Sequence, residues 1–156
     1  MTLTLFLLAQ RFVGELREIP GAQHEPFIQW CFSKCGYGPE TPDEIPWCSA
    51  WINGICWLLR LPRSKSAAAR SWLALGQPIP LEAACVGWDL VILRRGLDQP
   101  GPEIIQAPGH VGLFAGLEPD RVLVLGGNQQ NAVTVQGFPR LAVLGVRRLY
   151  TEPENQ

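Results

Sequence analysis

A chain of 156 residues that is 47% hydrophobic and 17% charged has enough apolar material for one folded domain over 1–156, and its composition excludes general disorder. Its formal net charge of -1 excludes a general attraction for nucleic acid or anionic membrane. Its five cysteines, an odd number, exclude complete disulfide pairing within the chain.

Leu5, Leu8, Phe12 and Leu16 recur at helical spacing, which predicts an amphipathic helix from about Leu3 to Arg17, ended by Ile19-Pro20-Gly21. This start has no basic n-region and no small-residue cleavage site, and it turns polar too soon to span a bilayer. The expectation is a packed core helix without a signal peptide, in a protein made in a reducing cytoplasm. A second helix is expected from about Glu25 to Cys35, with Phe27, Trp30 and Cys31 inward and Gly36 as the C′ residue.

The stretch from Asp43 to Leu59 reads as the central helix. Acidic residues and Pro46 suit its first turn. Trp51, Ile55 and Leu58 point one way and Ile52, Cys56 and Leu59 another, so it is apolar on most sides and belongs inside a core. Pro62 closes it, and Ser64 or Ser66 caps a further helix through Ala67–Leu73 that stops near Gly76.

Beyond Pro80 the period changes to two. Strands are predicted at Asp89–Leu93, His110–Phe114, Arg121–Leu125, Ala132–Val135 and Val143–Val146. Helices first and about five strands second predict an α+β fold, with N-terminal helices packed on a C-terminal antiparallel sheet. The long Pro/Gly-rich loop from Arg94 to Gly109 leads straight into His110.

Cys48 lies near the start of the central helix, where free N–H groups and the helix dipole favour a thiolate. His110 opens a strand. A cysteine at a helix N-terminus with a histidine on a strand end is an arrangement for nucleophilic acyl transfer, with a third polar group to orient the ring. If Ala115 faces Arg121, His110 faces Gly126 and Asn128 follows on the same face; a register slip of one residue puts Gln129 there instead. Each residue also has a plainer role: Cys48 as a small core side chain, His110 as a structural strand-end histidine, and Asn128 as part of a Gly-Gly-Asn turn. Trp47 and Trp51 are candidate substrate-groove residues, with Trp51 better suited to the core.

His24, Cys31 and Cys35 would share a face on one continuous helix, a pattern compatible with structural zinc. Pro26 interrupts that helix and no further ligand accompanies them, so the expectation is core cysteines, no metal and no cofactor.

Three segments together resemble the cysteine peptidoglycan hydrolases of the CHAP and NlpC/P60 superfamily, in particular small CHAP-like proteins of phages and prophages. They are Pro46-Trp47-Cys48-Ser49-Ala50-Trp51-Ile52-Asn53, Gly109-His110-Val111-Gly112-Leu113-Phe114 and Leu125-Gly126-Gly127-Asn128-Gln129. The resemblance extends to Ala69–Leu73, to Asp89–Leu93 and to Leu144–Arg148, and departs from the family at Gly87-Trp88-Asp89, where a Gly-Asp pair is common. It implies a papain-like α+β fold, hydrolysis of peptidoglycan amide bonds and a triad of Cys48, His110 and Asn128. The activity it implies is a stem-peptide or cross-bridge endopeptidase, most simply a lysis enzyme released to the cell wall through a holin-type pore former. The alternatives are an N-acetylmuramoyl-L-alanine amidase of the same fold and a virion-associated wall-binding protein with little activity. The expected partner is peptidoglycan, with no nucleic acid and no membrane span, and the expected state is a monomer.

Overall fold

A computed structural model describes residues 2–153. Three α-helices come first: α1 (Leu5–Gln10), α2 (Pro26–Ser33) and α3 (Cys48–Leu58). Six strands follow: β1 (Gln77–Ile79), β2 (Asp89–Arg94), β3 (Gly109–Leu117), β4 (Arg121–Gln129), β5 (Ala132–Pro139) and β6 (Val143–Arg148). They form one antiparallel sheet in the order β1-β6-β2-β3-β4-β5. This is an α+β, papain-like architecture, a central helix laid on an antiparallel sheet.

The sheet has one more strand than the period-two pattern predicts. Gln77-Pro78-Ile79 is too short and proline-bearing to read as a strand, yet as an edge it pairs with Val146–Arg148. The helix expected over Ala67–Leu73 is a 3-10 helix, Ala69–Ala74. α1 is shorter than its apolar spacing suggests. The chain leaves the helix after Gln10, and Gly14 takes a positive φ of 79°. Leu16 still reaches the core, because its segment runs along β5 through Val133 N–H to Leu16 O (2.9 Å).

β2 shows why both faces of the sheet are covered. Its residues alternate between two clusters: Leu90 and Ile92 meet the helices, with Val111, Leu113 and Leu125. Val91 and Leu93 face the other way, with Phe114, Val124, Ala142 and Val146. α3 contributes Trp51, Ile52, Ile55 and Cys56, all fully buried, to the helix-side core. Such burial of large side chains contributes about 2–3 kcal/mol each relative to exposure.

α3 begins at Cys48, five residues later than the acidic run suggests. Asp43 is instead fully buried upstream of the helix. One oxygen accepts from the Ile19 and Glu25 N–H groups (2.9 Å each) and the other meets His24 Nδ1 at 3.1 Å. The carboxylate thus ties the α1–α2 connection to the approach to Cys48. Inside α3, buried Asn53 donates to Ser49 O (2.9 Å) and Ser66 O (3.1 Å) and accepts from Lys65 N–H (2.8 Å). Trp72 Nε1 donates to Ser49 Oγ at 2.9 Å. A buried polar group must be paired, and here the pairing clips residues 64–72 onto the central helix.

Candidate active site

Cys48 is the first residue of α3, and Trp47 before it supplies no side-chain cap. The first-turn N–H groups have no intrahelical partner, as at any helix start, and the helix dipole there favours negative charge on the sulfur. His110 is the second residue of β3 and pairs across to Leu93 of β2. Cys48 and His110 lie close enough for the imidazole to act on the thiol. Burial pushes the Cys48 thiol up, but the hydrogen bond and charge of His110, the Val111 N–H and the charge of Arg95 pull it down, to about 7. On other thiols burial outweighs the nearby charge of Lys34 or Arg63: it raises Cys35 to about 11 and pushes Cys31 and Cys56 well up.

The third residue is Gln129. His110 Nε2 stands 2.9 Å from Gln129 Oε1. The Gln129 amide nitrogen donates to Thr134 O (2.8 Å), which can only accept, and to Thr134 Oγ1 (3.1 Å). That fixes the amide orientation, so Oε1 is the atom turned to the ring and His110 Nε2 carries the hydrogen. Nδ1 is left to take the thiol proton.

Asn128 does not occupy the position expected for it. β4 pairs Gly126 with Thr134 and Gln129 with Ala132, so Gly127 and Asn128 together oppose the single residue Val133. This bulge, with Asn128 at φ 57°, adds one residue to the period of two. The face shared by Gly126 and His110 therefore receives Gln129, and Asn128 turns to the rim of an adjoining pocket. Gly126 is part of the arrangement: a Cβ there would overlap Gln129 Oε1 and stand 3.2 Å from His110 Nε2.

Trp47 and Trp51 line no groove. Both indoles are fully buried. Trp47 donates to Glu18 Oε1 at 2.8 Å, and its ring lies so close to Gly127 that an added Cβ would stand 2.5 Å from it. Trp51 packs edge-on against Phe12 at 6.0 Å. They hold the start of α3 and the β4 bulge in place instead of touching a ligand. His24, likewise, is drawn away from Cys31 and Cys35 and pairs with Asp43 and with Glu44 at 3.5 Å.

Sequence reasoning missed Arg70, on the 3-10 helix. It is fully buried, and its guanidinium donates to Pro108 O (3.0 Å), Gly101 O (2.7 Å) and Ile104 O (3.1 Å). Those carbonyls belong to the loop that delivers His110. An arginine in an otherwise small-residue segment, upstream of a long loop, was the available signal. Beside His110 an open pocket of about 430 Å³ is lined by Arg94, Arg95, Leu97, Gln136 and Phe138, with the His110 and Phe138 rings 5.3 Å apart.

The constellation is a thiol, a base beside it, an amide that orients the base, and the backbone N–H groups of a helix start. It has the parts needed for acyl transfer through a thioester. Among solved structures the chain is similar to NlpC1 from Trichomonas vaginalis at 18% identity and a TM-score of 0.45. The match covers 87% of this chain and 48% of that one, so this chain spans about half that protein's length. No protein-family model and no curated protein matches it.

Proposed function

We propose that this protein is a cysteine hydrolase of peptidoglycan amide bonds, acting through Cys48, His110 and Gln129. The observation that carries the chemistry is the His110 ring held by Gln129 at 2.9 Å beside Cys48, whose thiol that ring pulls down to about 7 against burial. The Cys48 thiolate attacks the amide carbonyl, and the oxyanion forms over the first-turn N–H groups of α3. The imidazolium gives its proton to the leaving amine, and water, deprotonated by the same ring, hydrolyses the thioester. A wall-binding protein without activity has no use for a lowered thiol aligned with an oriented base.

Peptidoglycan as substrate rests on the motif resemblance around Cys48, His110 and Gly126–Gln129. So does the proposed biological role, that of a phage or prophage lysis enzyme made in the cytoplasm and reaching the wall through a pore-forming partner. Among the described residues no helix is long and apolar enough to cross a membrane. Expression with and without a pore-forming protein tests the role: Cys48-dependent lysis only in its presence is expected, and lysis by this chain alone contradicts it. Mass spectrometry of products from defined muropeptides separates a stem-peptide endopeptidase from an amidase, since only an amidase frees the lactyl group.

A further inference from the structure

The end of α3 remote from Cys48 carries an apolar tip set among cations. Every residue of α3 from Cys48 to Cys56 is buried, yet Trp57 and Leu58 are 46% and 45% exposed. With Leu61, Arg60 and Arg63 they line an open groove of about 540 Å³. Lys34 adds a third cation: its Nζ lies 4.7 Å from the Trp30 ring and 4.4 Å from the Trp57 ring. The exposed indole is thereby held in place, edge-on to Trp30 at 5.5 Å. Among the described residues Lys34, Arg60 and Arg63 form no ion pair. No acidic residue stands between Glu44 and Glu82 in the chain. Glu25 caps the opposite end of α2 from Lys34, and Glu40, in the exposed loop that follows, pairs with none of the three.

Arg60 sits where a side chain is disfavoured. It is the residue after the C-cap of α3, at φ 57°. Its N–H donates to Trp57 O (3.2 Å) and the Leu61 N–H donates to Cys56 O (2.9 Å), which completes the helix-ending turn that glycine ordinarily serves. An L side chain in the left-handed region costs backbone energy. A cation gains from the helix dipole here, but Leu58 or Leu59 would offer that gain without the left-handed backbone. The charge at position 60 is therefore held against a local cost, which points to a use for it.

An apolar tip among cations makes two demands at once. A soluble polyanion answers the charge and leaves Trp57 and Leu58 in water, while a neutral apolar partner leaves the cations unmet. An anionic lipid surface answers both, with the indole and leucine at the acyl boundary and the Lys and Arg groups among the phosphates. We propose that this end of α3 docks peripherally on an anionic phospholipid surface through Trp57, Leu58, Lys34, Arg60 and Arg63. The attraction is local, since the net charge of the whole chain is -1. The 11 residues of α3 rise roughly 16 Å, so docking at this end leaves the Cys48 end free.

The test is co-sedimentation of the full chain with vesicles of phosphatidylglycerol and phosphatidylcholine in equal parts, and with phosphatidylcholine vesicles. Partition onto the anionic vesicles is expected to be at least tenfold stronger. Arg60→Gly removes a charge and returns glycine to the turn. It is expected to melt at the same or a higher temperature and to weaken partition at least threefold. Leu58→Ser, at an exposed position, is expected to weaken partition by a similar factor. Equal partition onto both vesicles, or a lower melting temperature for Arg60→Gly, overturns the proposal. So does unchanged partition in either variant; in Leu58→Ser it would mark the surface as one for soluble polyanions. Self-association through Trp57 without vesicle binding overturns it as well.

Discussion

His110 Nε2 donates to Gln129 Oε1 across 2.9 Å, and the same glutamine is held from behind by Thr134. Removing that glutamine therefore leaves nucleophile and base present but frees the ring to rotate. Gln129→Ala is expected to lower kcat/KM by ten- to a thousandfold, or roughly 1.4–4 kcal/mol. Asn128→Ala, at the pocket rim, is expected to cost less than tenfold. Steady-state kinetics on the two variants decides it, and the reverse order would return Asn128 to the role of orienting residue.

Cys48 and Cys85 make opposite demands on an alkylating reagent, because Cys85 is exposed and Cys48 buried. In a Cys85→Ser background, Cys48 should be the thiol that iodoacetamide modifies, with activity falling in step. A thiol lowered to about 7 gains thiolate as pH rises through that value. The alkylation rate should therefore climb between pH 6 and 8, with a midpoint near 7, and level off above. His110→Ala removes the hydrogen bond and charge that lower the thiol, so the midpoint should move to higher pH. An unmoved midpoint would mean that His110 does not set the thiol's acidity.

Gly126 leaves open the space in which His110 and Gln129 meet. Gly126→Ala should force the glutamine aside and cost at least tenfold in kcat/KM, read beside the melting temperature. Gly127→Ala instead presses a methyl group into the Trp47 ring. Overpacking of that kind costs about 1–3 kcal/mol, or very roughly 2–12 °C in a protein of this size. Wild-type activity in Gly126→Ala would show that the pair tolerates displacement.

Arg70 holds the loop before His110 through three carbonyls. Arg70→Met keeps much of the side-chain volume and gives up those bonds. The loop from Arg95 to Pro108 should then become a preferred site of limited proteolysis, and stability should fall by about 2–4 kcal/mol. An unchanged cleavage pattern would mean that the loop does not depend on Arg70.

The α+β class was legible because the two periods are clean: an apolar run around Trp51–Ile55 and alternation in Asp89–Leu93. The pairing of Cys48 with His110 was legible for the same reason, since each stands at the end of a strongly patterned element. The third residue was not. One extra residue at Gly127–Asn128 reverses the alternation, and nothing in Gly-Gly-Asn-Gln distinguishes a bulge from a regular strand end. The role of Trp47 was equally hidden, because its hydrogen-bond partner Glu18 is 29 residues away. Arg70 was missed because its acceptors are backbone carbonyls, which carry no side-chain signature.

Incubating purified peptidoglycan with the intact protein and with Cys48→Ala, and measuring newly exposed amino groups by mass spectrometry, tests the hydrolase reading most directly. The account predicts time-dependent release by the intact protein, a near-complete loss in Cys48→Ala and a partial loss in Gln129→Ala. Release that persists undiminished in Cys48→Ala, or no release by the intact protein, would contradict it.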